Sequence, residues 1–292
     1  MPPHDPSDRD LVRAAVGGSR EALDQLLRRH ESAIYGLAVR MLWEPRDAED
    51  ATQEILLKIA TRLSSFRGEC AFATWAYRVA ANHLISVRRS KPEETISGFD
   101  CYARALAAVP LEEIADEAAL SPEDATLAYE VKVGCTIGML LCLERDQRIV
   151  FILGEVLEVP DAVGSEVLGT SRDNYRQRLA RAREQLRSFL AGNCGLADPR
   201  NGCRCARKTQ GFIRAGLVDP SSLRFAIPHR TAVEQVAPRR ARELDAWFGT
   251  SLEAICRGDA LRPPRDVVEA VTAILRSAEA ERLLAAPGSL RS

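Results

Sequence analysis

Residues 47–91 constrain the fold of this chain most strongly, because their apolar side chains recur at the three-and-four spacing of amphipathic helices. A first helix is predicted to start near Asp47, since an acidic residue suits the positive end of a helix. A second helix is predicted from Phe72 to Arg89. The two apolar faces comprise Ala48, Ala51, Ile55, Ile59 and Leu63 in the first helix and Ala76, Val79, Ala80, Leu84 and Val87 in the second. This pattern predicts a helical hairpin.

The start of the second helix combines aromatic and basic side chains. Only 5% of the residues are aromatic, yet Phe66, Phe72, Trp75 and Tyr77 fall within twelve positions. At about 100° per residue, Arg78, Asn82, Ser86 and Arg89 share a polar stripe. Cations hold phosphates and aromatic rings accept unstacked bases, so a nucleic-acid surface is one interpretation. The other is a hairpin with an aromatic core and a solvated basic face.

The flanking segments divide the chain into further parts. Residues 11–16 predict a short helix that stops at Gly17-Gly18, and Ser19 is placed to cap a longer helix reaching Trp43. Residues 8–91 are therefore predicted to form one helical domain. Between Pro92 and Glu130 there are ten acidic residues and one basic residue. Residues 92–120 are predicted to be a solvated acidic linker, with one short helix near 111–119.

Residues 121–190 have the pattern of a helix-turn-helix domain. Ser121-Pro122 begins a helix, another follows from Cys142 to Leu157, and a short helix over 161–168 ends at Gly169. Ser171 caps a long helix whose inward face carries Tyr175, Leu179, Ala182 and Leu186. Between Arg172 and Arg187 there are six arginines and two acidic residues. Such a helix suits the major groove, although a solvated surface helix is the alternative. The candidate DNA contacts are Arg172, Asn174, Arg176, Gln177 and Arg181.

Residues 191–292 form a cysteine-containing C-terminal extension. Cys194, Cys203 and Cys205 lie within twelve residues and are candidate zinc ligands, with a fourth ligand from His229, Cys256 or an outside group. Redox-active and merely structural thiols are the alternatives. Nearby basic residues are expected to lower the thiol pKa values. They are Arg200, Arg204, Arg207, Lys208 and Arg214. Two amphipathic helices are predicted, over 239–256 and 264–284.

Composition narrows the class of protein. The chain has 292 residues, 46% hydrophobic content and a net charge of −1, with no apolar run of about 18 residues. The N-terminus has no signal-peptide pattern, so we expect a cytoplasmic protein without membrane insertion. In a cytoplasmic protein, the eight cysteines are expected to be free thiols and not structural disulfides. No Ser/His/Asp set, phosphate-binding glycine loop or carboxylate pair stands out, so the chain is not expected to be an enzyme.

The motif DAEDATQE…FRGECAFATWAYRVAANHLISVRR resembles the second conserved region of bacterial RNA polymerase sigma factors, in the extracytoplasmic-function (ECF) group. The resemblance runs from Asp8 to about Lys91 and resumes near Leu140. It implies that the first helix of the hairpin docks on core RNA polymerase and that the second opens the minus-10 promoter element. The implied polymerase contacts are Asp50, Gln53 and Glu54. The implied promoter-melting residues are Phe72, Trp75, Tyr77, Arg78 and Asn82, with Arg88 and Arg89 on phosphates.

The motif DQRIVFIL…EVLGTSRDNYRQRLARAREQLR resembles the fourth conserved region of the same family, which recognises the minus-35 element. Two departures stand out. Pro160 replaces the usual capping residue, and Val163-Gly164-Ser165 replaces the usual core. Glycine inside a helix costs about 1 kcal/mol relative to alanine, so a weak first helix is predicted.

The resemblance predicts an all-α sigma factor that binds core RNA polymerase and promoter DNA to initiate transcription. An anti-sigma protein is a further candidate partner. No cofactor is required, although the C-terminal cysteines are candidates for zinc. The extension is predicted to pack on the sigma domains and regulate them. One alternative is a stand-alone helix-turn-helix regulator. The acidic helix after Asp47 argues against it, because that surface suits polymerase and is not needed for DNA. The other alternative is a metal- or thiol-responsive regulator.

Overall fold

The computed structural model describes residues 6–113, 120–225 and 266–276. In these ranges the chain is helical without a strand, as predicted. No helix there is long and apolar enough to cross a bilayer. The helices are α1 (Asp8–Val16), α2 (Arg20–Leu42), α3 (Pro45–Arg62), α4 (Phe72–Ser86), α5 (Lys91–Thr95), α6 (Phe99–Ala108), α7 (Pro122–Leu140), α8 (Arg145–Phe151), α9 (Asp161–Val167), α10 (Arg172–Asn193), α11 (Cys205–Arg214) and α12 (Val267–Leu275). A 3₁₀ turn (Leu63–Ser65) follows α3, and a π-helical turn (Ile152–Val156) continues α8.

Serine caps begin the helices where the sequence predicts them. The hydroxyls of Ser19, Ser121 and Ser171 accept hydrogen bonds from the backbone N–H three residues on. Two predicted boundaries are wrong. Helix α3 starts at Pro45, before Asp47, because proline suits the first helical position. Helix α4 ends at Ser86, so Arg88 and Arg89 lie beyond it.

The first helical unit is a core formed by α2, α3 and α4. Leu26, Leu37, Ile55 and Leu84 are fully buried in it. The predicted apolar faces are buried except for Val79 and Val87, which are half-buried. Helix α12 packs on α2 and α3, and Val268 and Val271 are buried there. The described residues 266–276 cover only part of the predicted 264–284 helix, and the predicted 239–256 helix lies outside the described ranges.

The linker differs from the prediction of a solvated spacer. It contains α5 and α6, and Tyr102 of α6 is buried with its hydroxyl donating to the carbonyl of Cys135 at 2.8 Å. The predicted helix near 111–119 is absent from 111–113, and 114–119 lie outside the described residues. Burial explains the difference, because α6 packs its aromatic side chains on Phe189 of α10. The boundaries 8–91, 92–120, 121–190 and 191–292 remain predictions as domain limits.

The first helix of the helix-turn-helix forms despite its glycine. Helix α9 spans Asp161–Val167, and a Cβ atom on Gly164 would lie 2.5 Å from the Tyr175 ring. The Tyr175 hydroxyl donates to the carbonyl of Val150 at 3.3 Å. The missing side chain therefore lets α10 approach α9 closely, and tertiary packing offsets the low helix propensity of glycine.

A buried charge cluster joins the first helical unit to the second, which is formed by α7, α8, α9 and α10. Glu93 of α5 accepts hydrogen bonds from Arg145 (2.5 and 2.8 Å) and Arg148 (3.1 Å) of α8. Arg148 is only 1% exposed and also donates to the carbonyl of Met41 in α2 and to Leu140, Leu141 and Leu143. Arg145 donates to carbonyls at the end of α4, those of Leu84, Ile85 and Val87. The cluster therefore holds α8 against α2, α4 and α5.

Replacing Glu93 with glutamine is expected to lower the free energy of unfolding by about 3 kcal/mol, because it leaves the buried Arg148 charge without its counter-charge. Denaturant unfolding of the full chain measures this loss. Glu94→Gln is the matched control, since Glu94 is exposed. Equal stability of the two variants would contradict the role of Glu93 as the counter-charge of Arg148.

The difference in the free energy of unfolding between Glu93→Gln and the unmodified chain should depend on pH. Burial alone would raise the pKa of Glu93, but the hydrogen bonds and charges of Arg145 and Arg148 outweigh it and lower that pKa below the ordinary value of 4.5. The stabilisation is therefore complete above pH 4.5 and is lost as the pH falls through the lowered value. The stability gap between Glu93→Gln and the unmodified chain should close in acid.

Candidate nucleic-acid interface

An aromatic cluster stands at the start of α4. The Phe72 ring is buried and lies 5.0 Å from His30, 5.6 Å from Phe66 and 5.7 Å from Trp75, measured between ring centres. Trp75 and Tyr77 are half-buried. Phe72 thus packs inside the first unit, whereas Trp75 and Tyr77 keep part of their surface accessible. Of the predicted promoter-melting aromatics, Phe72 is a core residue, and Trp75 and Tyr77 are the two that keep accessible surface.

The polar residues on and after α4 differ in their surroundings. Asn82 on the helix and Arg88 and Arg89 beyond its end are exposed. Arg78 donates to the backbone carbonyl of Glu166 at 3.0 Å and to its carboxylate at 3.2 Å. Since Glu166 belongs to α9, a residue of the predicted promoter-melting set is bonded to the helix-turn-helix. Sequence analysis did not single out Glu166.

The predicted polymerase-binding residues lie on α3. Asp50 and Glu54 are exposed, and Gln53 is half-buried. Glu54 lies 3.8 Å from both Lys58 Nζ and His83 Nε2. Burial and the Lys58 charge lower the pKa of His83, so its imidazole is neutral at pH 7. The surface that α3 presents is acidic and accessible.

All five predicted DNA contacts on α10 are exposed. Asp161 at the start of α9 pairs with Arg172 at 2.7 Å and with Arg176, and hydrogen bonds from these arginines lower its pKa. Other described residues form no hydrogen bond or ion pair with the side chains of Asn174, Gln177 and Arg181. On α10, Arg172 and Arg176 are therefore oriented by their ion pairs with α9. Asn174, Gln177 and Arg181 are open to solvent.

The outer face of α10 is suited to DNA because its other arginines are held elsewhere. Arg183 pairs with the buried carboxylate of Glu155, and Arg178 with Asp146 at 3.3 Å. These ties hold α10 on α8 and its π-helical turn. The remaining arginines of α10 face outward. In a helix that lies in a DNA groove, side chains at such positions contact phosphates and base edges.

The cysteines of the extension lie beside a cysteine of α7. Cys194, Cys203 and Cys205 line a cavity of about 40 Å³ together with Cys135. No three His, Cys, Asp or Glu side chains of the described ranges already stand in a metal-binding arrangement. The candidate ligands His229 and Cys256 lie outside those ranges.

The predicted lowering of the thiol pKa values is wrong. Burial raises the pKa of Cys203 and, more strongly, that of Cys205, and the cations Arg204, Lys208 and Lys132 only partly offset it. Burial also raises the pKa of Cys135 to about 12. Several basic residues act elsewhere: Arg200 pairs with Asp198, and Arg214 pairs with Glu112.

Comparison with known proteins identifies the class. The family model for sigma-70 region 2 matches residues 26–92. The RNA polymerase sigma-H factor of Pseudomonas aeruginosa is 31% identical over 191 residues, which cover 63% of this chain and 93% of that protein. The ECF sigma factor SigM of Mycobacterium tuberculosis is 29% identical over 64% of this chain and 86% of its own length. A solved structure of CnrH in complex with the cytosolic domain of CnrY is 21% identical and has a TM-score of 0.42, covering 63% of this chain and 97% of that one.

The chain belongs to the ECF group of bacterial RNA polymerase sigma factors. It binds core RNA polymerase, recognises promoter DNA and initiates transcription, and the stand-alone regulator is not favoured. Sigma factors as a family are not enzymes. The relatives are covered almost completely, whereas about a third of this chain lies outside each match.

Proposed function

We propose that this sigma factor recognises promoters with two surfaces that are packed together in the present structure. The minus-10 surface comprises Trp75, Tyr77, Arg78, Asn82, Arg88 and Arg89 around α4, supported by Phe72. The minus-35 surface comprises Arg172, Asn174, Arg176, Gln177 and Arg181 on α10. Asp50, Gln53 and Glu54 of α3 dock on the polymerase. The direct contact of α4 with α9 carries this proposal.

Promoter geometry explains why that contact matters. The minus-10 and minus-35 elements lie about 25 base pairs apart, which is about 85 Å of duplex at about 3.4 Å per pair. Helix α9 packs on α4 and also on α10, so the two DNA-binding surfaces cannot reach both elements together. The structure is therefore a closed form, and promoter recognition requires α9 and α10 to leave α4.

Polymerase docking is compatible with the closed form. Asp50 and Glu54 remain exposed although α12 packs on the same helix, α3. Arg78 and α9, in contrast, are engaged with each other. Docking on the polymerase thus precedes opening, and the free protein is kept from binding DNA with both surfaces.

The C-terminal extension supports the closed form from the opposite side. The Glu112 N–H donates to the carbonyl of Arg207 at 2.8 Å, and Lys208 donates to the carbonyl of Leu106 at 2.7 Å, which attaches α11 to the linker. Arg224 pairs with Glu44 at 3.2 Å, and its guanidinium stands 5.3 Å from the centre of the Trp43 ring. The extension thereby bridges the linker and the first helical unit. We infer that it regulates opening in cis.

The proposals on enzymatic activity, cellular location and an anti-sigma partner follow from this role. The protein acts by binding alone, in the cytoplasm where polymerase and promoter DNA meet. An anti-sigma protein would act by competing for the α3 face or by stabilising the closed form.

Trp75 tests the minus-10 assignment. Replacing it with alanine should reduce promoter opening about tenfold or more, because base–aromatic stacking contributes about 1–3 kcal/mol per base. Permanganate reactivity of minus-10 thymines and run-off transcription with core polymerase measure the effect. Trp75→Phe keeps an aromatic face and should retain most of the activity.

The control for this test is the unfolding temperature of both variants and their affinity for core polymerase. A Trp75→Ala protein that is less stable but opens promoters normally would show that the indole serves only the aromatic cluster. Loss of polymerase binding in both variants would contradict the assignment of docking to α3.

Arg224 tests regulation by the extension. Arg224→Ala removes one ion pair and one cation–π contact, together worth about 1 kcal/mol, and should raise the open-to-closed ratio about fivefold. Run-off transcript yield at limiting polymerase should rise accordingly. Arg200→Ala is the matched control, because the Arg200 side chain is 90% exposed and, among the described residues, pairs only with nearby Asp198. Equal yields from both variants would contradict a clamp at Arg224.

A further inference from the structure

The geometry points to a zinc site in which Cys135, Cys194, Cys203 and Cys205 supply four thiolates. The sequence motif contributes three of these residues, and the fold brings the fourth from α7, about 60 positions earlier. All four line the same cavity of about 40 Å³, which has room for one ion. A set of four sulfur donors is the composition of a closed, structural tetrahedral zinc site.

The loop that carries the thiols is built before any ion binds. The Gly195 N–H donates to the carbonyl of Cys203 at 2.9 Å, and the Asn201 amide donates to the carbonyls of Ala191 and Cys194 at 2.9 and 3.2 Å. The Arg204 guanidinium donates to the carbonyls of Asn201, Cys203 and Pro199. Cys194 at the end of α10 and Cys203 before α11 are thereby held beside each other.

Positively charged side chains surround the cavity. Binding converts Zn²⁺ and four thiols into a zinc tetrathiolate of charge −2 and releases four protons to solvent. Lys208 is buried, and its ammonium donates to the carbonyls of Leu106 and Val109, neither of which neutralises its charge. Arg204 and Lys132 supply further positive charge near Cys203 and Cys205. A dianionic centre would be compensated there.

The convergence of the thiols favours a metal over redox sensing. Reactive cysteines are solvent-accessible, whereas Cys135, Cys194, Cys203 and Cys205 are half-buried and line one cavity. A bound metal deprotonates its thiol ligands outright. Since no three donors stand in ligand geometry beforehand, the thiols must turn into the cavity when zinc binds.

Closing this site would fasten the extension to α7 and α10 at one point. The inference does not depend on how promoters are recognised, because it concerns only the join between the extension and the second helical unit. It predicts a zinc-dependent gain in the stability of that join.

The test uses the full chain, Cys135→Ser and, as the matched control, Cys101→Ser, whose thiol lies on α6 outside the cavity. Zinc is removed by a chelator and restored by titration against a colorimetric competitor, and the bound metal is counted by mass spectrometry. Cobalt replaces zinc to report tetrahedral sulfur coordination by absorption. The unmodified chain and Cys101→Ser should each bind one zinc ion. Cys135→Ser should bind it at least tenfold more weakly and lose the tetrahedral cobalt spectrum.

Thiol alkylation of the unmodified chain keeps the test decisive if Cys135→Ser fails to fold. Zinc should protect four of the eight cysteines, identified by peptide mass spectrometry as positions 135, 194, 203 and 205. Equal alkylation with and without zinc would overturn the proposal, as would a disulfide between any two of these four residues in the zinc-loaded protein. Unchanged zinc affinity in a folded Cys135→Ser protein would also overturn it.

Discussion

The closed arrangement depends on the buried contact of Glu93 with Arg145 and Arg148. One carboxylate from the linker compensates two guanidinium groups of α8. Their remaining hydrogen bonds end on backbone carbonyls of α2, of the end of α4 and of the segment between α7 and α8. Such a cluster is costly to break by mutation, because one partner is left buried and unpaired. In the proposed open form, Glu93 and the two guanidinium groups would meet water together, so none of them is left buried and unpaired.

Two further contacts determine which surfaces are available before opening. The Arg78–Glu166 bond engages the minus-10 surface with the helix-turn-helix, while Asp50 and Glu54 stay exposed on α3. The segment containing Arg207, Lys208 and Arg224 adds contacts from the extension to the linker and to the turn between α2 and α3. The proposed order of events is docking on polymerase, then release of α9 from α4, then promoter recognition. We propose that the extension affects the second step.

Local features were predictable from the sequence, and long-range contacts were not. The serine caps, the apolar faces of α3, α4 and α10, and the exposed arginines of α10 follow from residue spacing alone. The linker was misjudged because Glu93 looked like a solvated acid, while its partners lie more than fifty residues away. From the sequence, Gly164 predicts a weak helix. In the structure, Tyr175 packs directly against it, which requires a residue without a side chain. Only the fold brings Cys135 beside the thiols of the extension. Burial of Cys203 and Cys205 raises their pKa values, against the expectation from the nearby basic residues.

The central claim is that this sigma factor opens when it docks on polymerase. The most direct test is the distance between spectroscopic labels at Thr61 of α3 and Glu184 of α10, both exposed, measured with and without core polymerase. Non-natural amino acids should carry the labels, since the chain has eight cysteines. We predict one short distance in the free protein and a distance longer by tens of ångströms, on the order of the promoter spacing, in the complex. An unchanged short distance in a transcriptionally active complex would contradict the account.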